Sequence, residues 1–178
     1  MNVTSTDIPD VLVLEPRVFA DDRGSFFESF NGDAFHKATG FRGLFLQDNQ
    51  STSRRHVLRG LHYQDPHPQG KLIRAVAGSI FDVAIDIRRD SPTFGRWVGV
   101  ELSAENRRQL WVPPGLAHGF LTLSETADVL YKATDFYAPG CERCIRWDDP
   151  TFAVAWPLTA PPILSPKDAA ADLLSPAI

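Results

Sequence analysis

Short apolar runs separated by turn residues dominate this chain. Gly and Pro recur about every eight to twelve residues, and the runs between them are rich in Val, Ile, Leu, Phe and Trp, which is the rhythm of a β-sandwich or barrel. Strands are predicted over roughly 11–15, 25–30, 44–50, 56–63, 71–77, 80–88, 96–102, 108–112, 118–123, 128–134 and 143–147. Two segments read as helix. Asn31 to Ala38 starts at a polar cap and stops at Gly40, and Lys167 to Leu174 follows Pro166 with an Asp- and Ala-rich pattern. The Pro-rich stretch from Pro157 to Pro166 reads as an extended strap leading into that second helix.

Alternation assigns faces. In Ile80–Ile87 the apolar Phe81, Val83, Ile85 and Ile87 share one side of a strand, against Asp82, Ala84 and Asp86 on the other. A side with two carboxylates is ordinarily the wet outside of a sheet, and Asp86 is expected there; in a strand lining a ligand-bearing barrel the same residues point inward. His118, Phe120 and Thr122 share a face, and Tyr131 lies opposite Leu130 and Lys132. Several strands thus carry one functional group beside apolar neighbours, the pattern of a polar pocket in a small barrel.

Composition narrows the functions. The chain has 178 residues, 43% hydrophobic and 22% charged, and residues 1–178 are expected to form a single mainly β domain able to fold on packing alone. A net charge of −4 with scattered basic residues argues against a nucleic-acid partner. No run approaches the length of a membrane span, and the first residues lack a signal-peptide pattern, so a cytoplasmic protein with free thiols and no membrane partner is expected. Cys141 and Cys144 have no second pair for a zinc site, His-x-His does not occur, and His56, His67 and His118 stand apart; metal binding is not expected. Nor does the chain contain a Gly-x-Ser-x-Gly elbow, a dinucleotide glycine motif or a P-loop.

The densest chemistry is Val57-Leu58-Arg59-Gly60-Leu61-His62-Tyr63-Gln64, followed by Gln69-Gly70-Lys71. Strict alternation puts Arg59 and His62 on opposite faces, but a bulge at Gly60 returns them to one side. Taken alone, His62 reads as a hydrogen-bonded core histidine and Lys71 as a surface residue. The clustering of three cations, in a chain whose only lysines are Lys37, Lys71, Lys132 and Lys167, favours a pocket. Histidine is suited to abstract a proton near neutral pH, and tyrosine to donate one. A base and an acid on either side of a substrate make an epimerase.

With these residues in place, the chain resembles the dTDP-4-dehydrorhamnose 3,5-epimerase family. The resemblance rests on Asn49-Gln50-Ser51, the Val57–Gln64 and Gln69–Leu72 strings, Phe81–Arg88, Ser91-Pro92-Thr93-Phe94-Gly95, Gln109–Gly115, Ala117–Phe120, Leu130-Tyr131-Lys132 and Ile145–Pro150. It implies a cupin-like jelly roll, a homodimer, and cofactor-independent inversion of C3 and C5 of dTDP-4-dehydro-6-deoxy-D-glucose. By similarity His62 is the base and Asp168 its orienting carboxylate, Tyr131 the acid, and Lys71 the charge beside the C4 oxygen. Arg23 and Arg59 would contact the diphosphate, and Phe26, Glu28, Gln47, Asn49, Asp82, His118, Phe136 and Glu142 would complete the substrate site, some of them from the neighbouring subunit. Phe136 stands where relatives often have Tyr, and Cys144 where they often have Gly. Relatives of the same pattern that invert one carbon only, a metal-dependent cupin enzyme, and a non-catalytic sugar-nucleotide binding module are the alternatives.

Overall fold

The computed structural model describes residues 1–174. Thirteen strands occur in it: β1 (Asn2–Ser5), β2 (Leu12–Glu15), β3 (Val18–Asp21), β4 (Gly24–Phe27), β5 (Gln47–Arg54), β6 (Leu58–Gln64), β7 (Lys71–Ala77), β8 (Ser79–Asp86), β9 (Trp97–Ser103), β10 (Gln109–Val112), β11 (Leu116–Thr122), β12 (Thr126–Ala133) and β13 (Glu142–Cys144). The α-helices are α1 (Gly32–Thr39) and α2 (Pro166–Ala169), and a single 3-10 turn forms at Pro139–Cys141. A six-stranded sheet ordered β1-β2-β10-β7-β12-β5 faces a five-stranded sheet ordered β13-β6-β11-β8-β9. Every named strand pair is antiparallel, and closing two such sheets over one interior gives a cupin-like jelly roll.

The interior is built from alternate residues of both sheets. Ile73, Ala75, Leu110, Val129 and Ala127 come from one side, and Ile80, Ala84, Val98, Leu102 and Phe120 from the other, all in one buried cluster. Both sheets are also covered outside. On the six-stranded sheet Leu12, Leu14, Leu72 and Trp111 pack under Phe35 of α1, whose ring meets Trp111 edge-on at 5.1 Å. On the five-stranded sheet Leu58, Leu61, Val83, Ile85 and Leu121 lie under Phe152 and Trp156 of the chain that follows β13. β8 is buried on both faces, so its alternation separates the two faces without saying which is inner.

Helix α1 begins and ends where its caps require. The Asn31 side chain accepts from the Ala34 N–H at 3.0 Å, and Gly40, at φ 72°, returns its N–H to the His36 carbonyl. The second predicted helix is corrected. Only one turn forms at Pro166–Ala169, because the residues beyond it find better partners: Asp172 bridges Ile145, the Arg146 N–H donates to the Asp172 carbonyl, and the Leu174 N–H donates to Asp149. Two further strands went unpredicted, β1 and β3, and the segment expected as strand over 25–30 is the return arm of a β3–β4 hairpin. The strand expected at 143–147 pairs with β6 only over Glu142–Cys144.

Asp86 is also corrected. It is fully buried rather than at a wet surface, because the turn after β8 folds back and supplies its donors. Arg88 pairs with it at 2.8 Å, and the Ser91 and Thr93 hydroxyls donate at 2.5 and 2.6 Å. Burial is the largest influence and acts to raise its pKa, but these donors outweigh it and hold the carboxyl far below its ordinary range.

The bulge in β6 is the feature that positions the site. His118 of β11 lies opposite His62 and Phe120 opposite Arg59, so three steps along β6 match two along β11. Gly60 sits at φ 123°, and a Cβ there would lie 2.6 Å from the Gly119 Cα and 2.9 Å from the His118 carbonyl oxygen. The strands therefore close over the bulge only with glycine at 60. Gly60→Ala is expected to lower stability by about 2 kcal/mol or more, read as a shift in the urea midpoint at constant m-value. An unchanged midpoint would show that the bulge does not depend on the missing Cβ.

Candidate active site

A cavity of about 230 Å³ opens between the sheets, lined by Ser51, Arg59, His62, Lys71, His118, Tyr131, Lys167 and Asp168 among others. His62 arrives from β6 in the five-stranded sheet, and Tyr131 from β12 in the six-stranded sheet, so an imidazole and a phenol reach the same space from opposite walls. Lys71 opens β7 beside β12, with Ala133 across from it in the register. The chain after β13 crosses the outside of the five-stranded sheet, docks Ile163 beside Val57, and delivers α2 to the rim. That path brings Asp168 within 2.5 Å of His62, the Asp168 oxygen meeting Nε2.

Asp168 is almost entirely buried, and burial is the largest influence on it, raising its pKa. The His62 hydrogen bond and charge, with further donation from Ser165 and Cys144, outweigh burial and leave the carboxyl below its ordinary value. An ionised Asp168 accepts only, so the proton between the two groups sits on Nε2 and leaves the Nδ1 lone pair of a neutral His62 free to act as a base. A second imidazole–carboxylate pair lies alongside: His118 Nε2 meets Asp82 at 2.8 Å, both buried, and the other Asp82 oxygen has no partner among the described residues.

Tyr131 has its pKa raised first by burial and then by the charge of Glu142, with Arg59 acting in the opposite sense, so the hydroxyl stays protonated near neutrality. Lys71 is pulled down to about 8, chiefly by desolvation; Asp82 and Glu142 support its charge and Lys167 opposes it.

The other expected site residues divide into two groups. At the rim, Gln47 donates to Asn49 at 2.8 Å and accepts from the Tyr137 N–H, which ties β5 to the 135–137 segment where Phe136 stands largely exposed. Glu142 accepts from the Tyr137 hydroxyl at 2.8 Å and pairs with Lys167 at 2.5 Å. Arg59 reaches across to the Ser53 hydroxyl at 3.0 Å. Gln47, Asn49, Asp82, Phe136 and Glu142 are not among the residues lining the cavity, and neither are Arg23, Phe26 and Glu28. Arg23 and Phe26 belong to the β3–β4 hairpin, where Arg23 pairs with Asp21 at the surface, and Glu28 accepts from Asn31. Residues that sequence reasoning missed are Ser51, Ser53, Ser165, Lys167 and Tyr137. Alternation from Gln47 and Asn49 points inward at Ser51 and Ser53, whereas no local signal marks Lys167, whose place depends on the strap.

An imidazole held by a buried carboxylate and a protonated phenol on the facing wall, with an ammonium lining the same cavity, give this β-barrel the groups that isomerisation by proton transfer requires. The family model for dTDP-4-dehydrorhamnose 3,5-epimerase matches residues 5–175. The chain is 61% identical to the dTDP-4-dehydrorhamnose 3,5-epimerase of Pseudomonas aeruginosa over 94% of its own length and 93% of the relative's. It is 57% identical to that of Salmonella typhimurium, over 100% and 98% of the two chains. A crystal structure of the Legionella pneumophila dTDP-6-deoxy-D-glucose-3,5-epimerase in complex with dTDP-4-keto-L-rhamnose superimposes with a TM-score of 0.95 at 52% identity, covering 97% of this chain and 92% of that one. The chain belongs to the dTDP-4-dehydrorhamnose 3,5-epimerase family.

The electrostatics make a stability prediction. Because the folded pKa of Lys71 lies below the unfolded value of about 10.4, the unfolded chain holds the extra proton between about 8 and 10.4, and the charged lysine costs stability below that window. Lys71→Met is expected to be more stable than the parent at pH 7, on the order of 1–3 kcal/mol, and the difference should shrink as pH rises through 8 toward 10. A pH-independent difference in denaturant unfolding would contradict this placement of the charge.

Proposed function

We propose that this chain inverts C3 and C5 of dTDP-4-dehydro-6-deoxy-D-glucose to give dTDP-4-dehydro-L-rhamnose, the epimerisation step of dTDP-L-rhamnose biosynthesis. The observation that carries the reading is the arrival of His62 and Tyr131 in one cavity from opposite sheets. Both inverted carbons flank the C4 ketone, so their protons are acidified by enolate formation. His62 removes a proton through Nδ1 while Asp168 holds Nε2–H and stabilises the imidazolium. Lys71 supplies fixed positive charge where the enolate oxygen develops. Tyr131 returns a proton to the opposite face, and the proton that His62 holds leaves through solvent as Tyr131 is recharged, which resets the pair for the second carbon.

The nucleotide handle falls to the rim. Arg59 is placed for the diphosphate, a guanidinium being suited to bidentate phosphate contact, while Gln47, Asn49, Glu142 and the exposed Phe136 ring border the outer end of the site. His118, backed by Asp82, completes the inner wall. Arg23, Phe26 and Glu28 act in this reading on the cavity of a second copy in a homodimer. The place of Arg23 and Phe26 on the hairpin and of Glu28 just after it, outside the lining of their own cavity and with Phe26 72% exposed, supports that assignment. The whole chain functions as one domain and needs no cofactor. Among the described residues no helix is long and apolar enough to cross a membrane.

An NMR time course in deuterated water with dTDP-4-dehydro-6-deoxy-D-glucose, followed by reduction of the product, tests the reading. Deuterium at both C3 and C5 with the L-rhamno configuration is expected, and kcat/KM should fall above about pH 8 as Lys71 of the free enzyme discharges. Label and inversion at one carbon alone would reassign the protein to single-centre epimerisation, and no label at either would remove the acid–base role.

A further inference from the structure

Three groups of different chemistry converge beside the base. His62 Nε2, Cys144 Sγ and an Asp168 carboxylate oxygen all lie within 4.8 Å of one another, and they come from three separate segments, β6, β13 and α2. Cys144 is the direct cross-strand partner of His62, and its thiol donates to Asp168 at 3.6 Å. None of the three is fully exposed, and His62 and Asp168 border the cavity. We propose that His62, Cys144 and Asp168 form an inhibitory site for a borderline-soft divalent cation, Zn²⁺ above all, in which the metal takes the place of the proton shared by His62 and Asp168.

The donor set suits that ion. Zn²⁺ takes imidazole nitrogen and carboxylate oxygen at about 2.0–2.2 Å and thiolate at about 2.3 Å, so tetrahedral ligands stand roughly 3.3–3.7 Å apart. The sulfur–oxygen separation of 3.6 Å already fits, and the 2.5 Å contact of His62 with Asp168 must open by a little under about 1 Å. Water from the cavity fills the fourth position. One thiolate and one carboxylate neutralise the two charges of the ion. A hard cation such as Mg²⁺, which prefers an octahedron of oxygens, gains nothing from the sulfur.

The proton balance explains the inhibition. When the metal takes the Nε2 lone pair, the proton formerly on Nε2 moves to Nδ1, and the thiol proton of Cys144 leaves to solvent. Neutral imidazole has one free lone pair, and metal binding uses it, so His62 no longer has a nitrogen able to accept a proton. Each ion bound releases the thiol proton of Cys144, so occupancy should increase with pH.

Binding itself stands on this geometry; its effect on turnover rests on His62 being the base. The test uses the full chain with Co²⁺ as a spectroscopic probe and Zn²⁺ in equilibrium dialysis. One Co²⁺ per chain with a thiolate charge-transfer band is expected, Zn²⁺ should displace it, and millimolar Mg²⁺ should not. Cys144→Ala and Cys144→Ser should lose the band and bind Zn²⁺ about tenfold or more weakly, whereas Cys141→Ala should keep both properties. A band that survives in the Cys144 variants, or moves with Cys141, overturns the site. Epimerase turnover should fall in step with Zn²⁺ occupancy and return on adding EDTA. A filled, thiolate-ligated site with undiminished turnover would leave the metal site standing and overturn His62 as the base.

Discussion

Two backbones cross at Gly60 and Gly119 with no room for a side chain on the nearer face, and the geometry of the pocket follows from that crossing. One residue more on β6 than on β11 turns His62 onto the same face as Arg59, opposite His118, while Leu58 and Leu61 stay in the apolar layer beneath the strap. Without the extra residue a strand of period two puts either the imidazole or the guanidinium into that layer, where a charge has no partner. The bulge thus satisfies two demands at once: an outer face sealed by hydrophobic packing and an inner face that concentrates titratable groups.

The walls differ in what they contribute. The five-stranded sheet holds imidazoles, each paired with a carboxylate, and the six-stranded sheet holds the phenol and the ammonium. Asp168 belongs to neither, and it reaches His62 only because residues after β13 pack Phe152 and Trp156 against the outside of β8 and β6 before turning into α2. Core packing on one side of the sheet therefore sets the contact of His62 with Asp168 on the other side. Burial of these charges has a cost, visible at Lys71, whose ammonium is destabilised by desolvation.

Much of this was legible in the residues. Turn spacing and apolar runs give most of the strands of both sheets, Asn31 and Gly40 delimit the first helix, and the Gly60 bulge follows from the need to place Arg59 and His62 together. What stayed hidden depends on contacts between distant segments. Asp86 reads as a surface carboxylate until the turn carrying Ser91 and Thr93 folds over it. Lys167 to Leu174 has the composition of a helix, yet pairing with Ile145, Arg146 and Asp149 stops it after one turn. The spacing of Cys141 and Cys144 marks no site, whereas in the fold Cys144 lies beside His62 and Asp168. The hairpin residues Arg23 and Phe26 carry no periodic signal that connects them to a pocket.

The proposed reaction divides its labour between the walls, with deprotonation by His62 from one sheet and reprotonation by Tyr131 from the other. It is tested most directly by comparing solvent deuterium exchange with stereochemical inversion in Tyr131→Phe and His62→Asn, each checked for an unchanged fold by circular dichroism. Tyr131→Phe should still wash deuterium into the substrate while failing to complete inversion, and His62→Asn should lose both. Exchange abolished in Tyr131→Phe, or retained in His62→Asn, would contradict the account.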